Sequence, residues 1–374
     1  MKILFLCGSL EAGRDGVGDY VRMLGEELGR QSGWQVSAMA IHDPYVTARA
    51  TITGTPGFPM FRIPAVWGPV RRLEEALRYT GQYSPDWISV QFVPYAFHAK
   101  GLPVYLVRQL ELLTRNSRVH LMLHEAWAGT GEAFRPHRLA HSIMQKVILK
   151  QLLNRLNPSV IHTHLPEYRQ KLAGLNRRAL ELPLFSNIPV RTGRAAAGTS
   201  LVIGFFSQVA CSPQILRFVK GLLAKAAGSG LPAELLLIGG QESRMREFSS
   251  FLRNSDPGEH LVTCTGFLPP GKTSAAIRRC SLGVTPVPRH ALGKSGSVAA
   301  FLSHGIPVAA PHMLEDRPVI PGFFSPALQA AILTEPDLES LERARTALGK
   351  ARHEIRADRI ARKFLHDLNQ PHQI

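Results

Sequence analysis

The chain has 374 residues, 45% hydrophobic and 19% charged, enough apolar material for two cores and too much for a disordered protein. Lys and Arg number 44 against 28 Asp and Glu, a formal charge of +16 with a pI near 10.2, so an anionic partner is expected. The four cysteines form no CxxC pair and no run of about eighteen apolar residues occurs, which argues against a zinc module, a disulfide scaffold and a membrane-spanning helix.

The chain opens on "KILFLC" (2–7), read as a strand rather than a signal peptide. It leads into "GSLEAGRDGVGDY" (8–20), a loop with Gly13, Gly16 and Gly18, and a helix expected to start near Asp19, which stands at the N-cap place. Further apolar runs follow at "WQVSAMA" (34–40), "WISVQF" (87–92), "RVHLMLH" (118–124) and "SVIHTH" (159–164). The fourth of these strands ends on His124, followed by Glu125; the histidine is either a capped strand-end residue or a ligand-facing one. His162 and His164 share one face of their strand, but no third ligand for a metal is evident. "HRLAHSIMQKVILKQLLNRLNP" (137–158) patterns as an amphipathic helix, with Leu139, Ile143, Val147 and Leu153 as its apolar face and Lys146, Lys150 and Arg155 supplying charge. Core packing explains the apolar residues, and an anionic membrane surface would explain the cations too.

After the aperiodic "SNIPVRTGRAAAGTS" (186–200) a second series begins: "SLVIGFF" (200–206), "AELLLIGG" (233–240), "LVTCTGF" (261–267), "LGVTPV" (282–287), "IPVAA" (306–310) and "AAILT" (330–334). Apolar strands alternating with helical patterns predict parallel sheets covered on both faces. Two series predict an α/β protein of two doubly wound, Rossmann-like domains facing a cleft. The expected bounds are 1–186, a linker at 187–200, 201–350, and a C-terminal helix over 351–374 packing back on the first domain. Ligands of such sheets bind beyond the carboxyl ends of the strands.

One of those ends leads into "GKSGSVAAFLSHGIPVAAP" (293–311), which predicts a helix opening near Ser297 with no carboxylate beside it. The N–H groups of Gly296, Ser297 and Val298, the Lys294 ammonium and the hydroxyls of Ser295 and Ser297 suit a phosphate. A plain serine N-cap is the competing reading.

The order and spacing of "GVGDYVRMLGEEL" (16–28), "LMLHEAW" (121–127), "ELLLIGG" (234–240) and the stretch from "TGFLPPGK" to "GIPVAA" (265–310) resemble glycosyltransferases of the GT-B fold, family 4, the retaining nucleotide-sugar-dependent type. The resemblance implies donor-phosphate contacts at Gly16, Gly18, Ser207, Lys294, Ser295, Gly296, Ser297 and Val298, and acceptor-side roles for Asp19 and Glu125. It implies catalytic roles for His124 and Lys294 and a reaction without a metal or other cofactor. The chain departs from the family twice. The usual Glu-x7-Glu pair falls at Leu292 and Ala300, and "GFFSQVACSPQ" (204–214) carries Ser207 and Gln208 where an arginine–lysine pair is usual.

The expected activity is transfer of a hexose from a nucleotide sugar to a hydroxyl of a glycan, lipid-linked or small acceptor. A degenerate, non-catalytic GT-B protein and a sugar-nucleotide epimerase are the alternatives. The expected place is the cytoplasm, with weak peripheral contact at an anionic membrane; no nucleic-acid motif accompanies the basic charge.

Overall fold

The computed structural model describes residues 1–48, 51–55, 57–127, 136–190, 200–255, 261–311 and 324–370. The chain divides into two compact units, Met1–Leu182 with Ala357–Ile374, and Pro183–Arg356. Of the expected linker, residues 191–199 lie outside the described residues.

The first unit runs β1 (Lys2–Cys7), α1 (Gly16–Ser32), β2 (Gln35–Asp43), β3 (Thr51–Thr55), β4 (Phe58–Pro64), α2 (Pro69–Tyr83), β5 (Trp87–Phe92), α3 (Pro94–Phe97), α4 (Val104–Thr114), β6 (Arg118–Leu123), α5 (Pro136–Leu156), β7 (Val160–Thr163), α6 (Pro166–Ala173) and β8 (Leu180–Glu181). Its sheet has the order β3-β4-β2-β1-β5-β6-β7-β8. Every pairing is parallel except β3 with β4. Strand side chains alternate between faces, and the two faces differ in chemistry. One carries Leu4, Leu6, Ile88, Val90, Leu121 and Leu123 against apolar residues of α2, α4 and α5. The other carries Ser89, Gln91, His120 and His162, all buried. There Phe364 packs on Phe5, His120 and His162.

Phe364 belongs to the last helix of the chain, numbered α13 (Ala357–Asn369), which also packs along α1. Gln31 of α1 donates to the Asp358 carbonyl at 3.0 Å.

The second unit runs β9 (Leu201–Phe206), α7 (Pro213–Gly228), β10 (Ala233–Ile238), α8 (Glu242–Ser255), β11 (Leu261–Cys264), α9 (Pro270–Arg279), β12 (Leu282–Val284), α10 (Gly296–Ser303), β13 (Val308–Ala309), α11 (Pro326–Gln329), β14 (Ile332–Leu333) and α12 (Leu338–Ala351). Its sheet order, β11-β10-β9-β12-β13-β14, is all parallel and is that of a Rossmann sheet. One core joins Phe205, Leu235 and Leu237 to α7, α8 and α12; the other joins Leu236 and Val308 to α9 and α10.

The apolar face expected for α5 is corrected. Leu139, Ile143, Met144 and Val147 are exposed, while Ile148, Leu149, Leu152, Leu153 and Leu156 are buried. The buried arc lies on the other side of the helix from 139, 143 and 147, and Leu153 sits at its edge. Cys7 and Cys280 are buried, but Cys264 is exposed because β11 is an edge strand. Among the described residues, no helix is long and apolar enough to cross a membrane.

Candidate functional site

Strand order reverses between β1 and β5 in the first unit and between β9 and β12 in the second. A crevice opens at the carboxyl ends of strands at such switch points, so the loops after these strands are the candidate ligand sites.

In the first unit, the loop after β1 is tied down by a buried ion pair. Asp43 at the end of β2 accepts from the Leu10 and Tyr45 amides and from Ser9 Oγ, at 3.0–3.2 Å. Arg62 of β4 donates Nε to Asp43 at 2.8 Å and Nη2 to Glu11 at 2.6 Å. Burial pushes the Asp43 carboxyl up, but Arg62 and the two amides pull it further down, and it ends below its ordinary 3.8.

The helix after this loop starts three residues earlier than expected. Asp15 is the N-cap, its carboxylate accepting from the Gly18 amide at 2.6 Å. Asp19 instead lies in the first turn, and its carboxylate accepts from the Gly13 amide at 3.0 Å. The two glycines of this turn are glycine for different reasons. A Cβ on Gly18 would stand 2.6 Å from the Ser9 carbonyl oxygen, so Gly18 lets the loop cross the helix. A Cβ on Gly16 would meet nothing within 4 Å.

His124 immediately follows β6, buried, with both ring nitrogens engaged inside the first unit. Nε2 faces Gln91 Oε1 at 2.9 Å and Nδ1 faces His164 Nε2 at 3.2 Å. Tyr20 of α1 stands edge-on to both His124 and His164. Burial first, and then His164, holds the His124 imidazole well below its usual range, so it is the neutral form that burial favours. The neighbouring Glu125 is half-buried, its amide 3.5 Å from the Phe92 carbonyl. His162 and His164 do lie on one face, but they bond other partners, and no group of three or more metal-ligating side chains is placed to hold an ion among the described residues.

In the second unit, Ser207 immediately follows β9, exposed and in the left-handed region at φ 63°. Its amide donates to the Ile238 carbonyl at 2.9 Å, which fixes the turn. After β12, a 3-10 helix over Arg289–Lys294 leads into α10. The N-cap of α10 is Ser295, and the helix begins at Gly296 rather than Ser297. Ser295 Oγ accepts from the Val298 amide at 3.4 Å and lies 3.0 Å from Ser297 Oγ. The Val298 N–H expected to meet an anion is therefore taken by the cap, leaving Gly296 and Ser297 as the first-turn amides able to meet a ligand. Lys294 is exposed immediately before this turn, and Arg289 Nε donates to the Ala310 carbonyl at 3.1 Å. Leu292 and Ala300, where the family resemblance puts its two glutamates, are buried in the apolar core around α10.

Lys294, Ser295, Gly296 and Ser297 thus stand together at the start of α10, in the segment after β12, and Ser207 follows the neighbouring strand β9. The structure groups Gly16, Gly18 and Asp19 around the β1 loop, with His124 and Glu125 after β6. Gln91, Asp43 and Arg62 are not singled out by the sequence. Their signal was a polar residue inside or closing an otherwise apolar strand, as Gln91 is in "WISVQF".

Two Rossmann-like units with these strand orders make the fold that of GT-B glycosyltransferases. Solved structures resembling this chain include sucrose-phosphate synthase from Thermosynechococcus elongatus, at 17% identity over 98% of each chain with a TM-score of 0.65. HepE of Anabaena, solved with UDP and glucose, matches at 14% identity over 99% of this chain and 100% of its own, with a TM-score of 0.57. The catalytic domain of starch synthase IV from Arabidopsis thaliana, bound to ADP and acarbose, matches at 13% identity over 97% and 94%, with a TM-score of 0.53. No family model and no curated protein sequence matches the chain.

Proposed function

We propose that the chain is a glycosyltransferase that moves a hexose from a nucleotide sugar to a hydroxyl acceptor, with retention at the anomeric carbon. The observation that carries this reading is likeness along nearly the whole chain to folds solved with UDP and glucose or with ADP. Lys294, the Gly296 and Ser297 amides, and the hydroxyls of Ser207 and Ser297 hold the donor diphosphate. A helix start and one ammonium favour an anion without a metal ion. The leaving diphosphate takes the acceptor proton on the face it departs from, so no side-chain nucleophile is needed. Catalysis then rests on stabilising the charge that grows on the leaving group.

Asp19 and Glu125 serve the acceptor side and His124 the transferred sugar, with Gly16 as the point where a ligand can approach backbone. The acceptor is a carbohydrate or lipid-linked hydroxyl, met by a cytoplasmic enzyme at the inner face of the membrane. The exposed Leu139, Ile143 and Val147, with exposed Lys146 and Lys150 beside them, support that contact. A non-catalytic binding role is the second reading. Burial of Leu292 and Ala300 favours it, because the ribose must then be held without the glutamate pair.

Thermal shift against nucleotides and sugar nucleotides, followed by donor hydrolysis, separates the two readings. A ligand at a hundredfold excess over its Kd stabilises the native state by about 2.7 kcal/mol. Lys294→Ala is expected to weaken nucleoside diphosphate by about 1.5–3 kcal/mol and to leave unphosphorylated nucleoside unchanged. Equal affinities in variant and wild type for both ligands overturn the phosphate assignment. Nucleotide binding without hydrolysis or transfer favours the non-catalytic reading.

A further inference from the structure

Four buried histidines of the first unit lie on one unbroken chain of hydrogen bonds. It starts at the Leu182 carbonyl, which His164 Nδ1 meets at 2.7 Å, and passes from His164 Nε2 to His124 Nδ1 at 3.2 Å. It continues from His124 Nε2 to Gln91 Oε1 at 2.9 Å and from Gln91 Nε2 to Ser89 Oγ at 2.7 Å. Ser89 Oγ lies 2.7 Å from His120 Nδ1, and His120 Nε2 lies 3.0 Å from His162 Nδ1. The chain ends where His162 Nε2 meets the Asp367 carboxylate of α13 at 2.9 Å.

Each of these seven links needs one proton between its two heavy atoms. Both termini are pure acceptors, a carbonyl oxygen and a carboxylate. A neutral imidazole supplies one N–H, a hydroxyl one O–H, and a carboxamide one donor and one acceptor to its two neighbours. The interior groups therefore supply at most six protons. One link is left with two lone pairs facing each other unless a further proton is taken up.

Gln91 divides the deficit. With its NH2 towards Ser89, the four links from Gln91 to Asp367 close with neutral rings, and the missing proton falls on His124 or His164. With its carboxamide turned, the three links from Gln91 to Leu182 close, and the missing proton falls on His120 or His162 beside Asp367. We propose that this network holds one proton beyond its neutral complement and that the Gln91 carboxamide decides whether the His124 pair or the His162 pair carries it. Gln91, His164 and Asp367 are then positioning residues, which set the charge and the hydrogen-bond direction of His124.

The surroundings decide which half is cheaper to charge. Tyr20 of α1 faces His124 and His164 with its ring edge. Asp367 and Lys363 of α13 face His162, with Lys363 Nζ 3.0 Å from the same carboxylate oxygen. Half-buried Glu181 of β8 feels Lys363 and Arg169 of α6. Burial pushes the Asp367 carboxyl up, but the hydrogen bonds from His162 and then Lys363 hold it below its ordinary range, so the extra proton sits on a ring and not on the carboxyl. Burial and neighbouring histidines push both His120 and His124 down, whereas His162 lies 2.9 Å from the Asp367 carboxylate, which favours charge on that ring once the carboxamide is turned. His124 or His164 carries the proton when the Gln91 NH2 faces Ser89, as it does in the structure, and an anion at the end of β6 would favour that orientation.

The proton count stands on the network alone; its link to turnover rests on the glycosyltransferase reading, and the two fail separately. The test is 15N NMR of histidine-labelled, full-length protein at neutral pH, with the four buried rings assigned. Wild type is expected to show one imidazolium among them. Gln91→Glu, an acceptor towards both sides, is expected to raise the count to two. Asp367→Asn is expected to lower it to none, because the new amide supplies the seventh proton while Lys363, 40% exposed, turns to water. Four neutral rings in wild type overturn the proposal, whether or not either variant folds. So does a count unchanged in folded Gln91→Glu. Absence of transfer activity in wild type removes the catalytic link and leaves the count to be read by the same spectra.

Discussion

Replacing Gly16 and Gly18 separately by alanine asks which glycine of the first turn of α1 serves the fold and which is left for a ligand. At Gly18 the new methyl would stand 2.6 Å from the Ser9 carbonyl oxygen and 3.2 Å from Leu10 Cα, both backbone atoms held by the Asp43 ion pair. Overpacking this close to fixed backbone takes the upper part of the usual range, about 2–3 kcal/mol, and the better helix propensity of alanine returns about 0.8–1 kcal/mol. The net loss expected is about 1–2 kcal/mol. At Gly16 the methyl enters open space at the first helical residue, and lower entropy of the unfolded chain stabilises by about 0.4–1 kcal/mol. The two variants should differ by about 1.5–3 kcal/mol, or about 3–12 °C in melting temperature for a unit of this size. Paired thermal and urea melts of the full chain measure the difference. Equal stabilities, or a Gly16→Ala variant the weaker of the two, would refute the assignment of Gly18 to loop crossing. A stable Gly16→Ala protein that loses donor turnover would place a ligand against that backbone.

Three other outcomes follow from the same structure. Ala300→Glu, which puts a glutamate where the family 4 resemblance would have one, would bury a carboxylate in the core around α10 and is expected to destabilise the second unit by several kcal/mol; tighter nucleotide binding with unchanged melting would show that a ribose pocket persists. Asp43, whose carboxyl lies below its ordinary 3.8 in the folded state, contributes stability fully present above about pH 4 and lost as pH falls through the lower folded value. Asp43→Asn should therefore lower stability at neutral pH and flatten the acid limb of the stability curve, and an acid limb identical to wild type would falsify this. Leu139, Ile143 and Val147 changed together to serine should leave melting unaltered, because all three are exposed, and should abolish low-salt pelleting with anionic liposomes. Equal recovery of wild type on neutral and anionic lipid would remove the electrostatic account.

Much of the architecture is legible along the chain because parallel strands covered on both faces are near-continuous apolar runs. The runs at 2–7, 87–92 and 200–206 each lie within one residue of a strand's bounds. The antiparallel β3–β4 pair is not legible, since Gly54, Pro56, Gly57 and Pro59 interrupt any alternation in "TITGTPGFP". The start of α1 is not legible because Asp15 and Asp19 are both acceptable caps by residue type. Only the path of the loop shows that Asp15 reaches the Gly18 amide while Asp19 reaches back to Gly13.

For the strand-end groups, local sequence determined the residue types: a serine-capped helix start beside Lys294, and a histidine closing β6. These depend on neighbours within a few positions, so periodicity and capping rules reach them. Tertiary structure decided what those residues touch. His124, Gln91, Ser89, His120, His162 and Asp367 come from β5, the end of β6, β7 and α13, separated by up to 205 residues for the His162–Asp367 bond. No spacing rule joins them, because strand order and register, not sequence distance, set which side chains share a face. The proton balance of that face is therefore a property of the folded sheet, and it exists only once α13 has brought Asp367 onto His162.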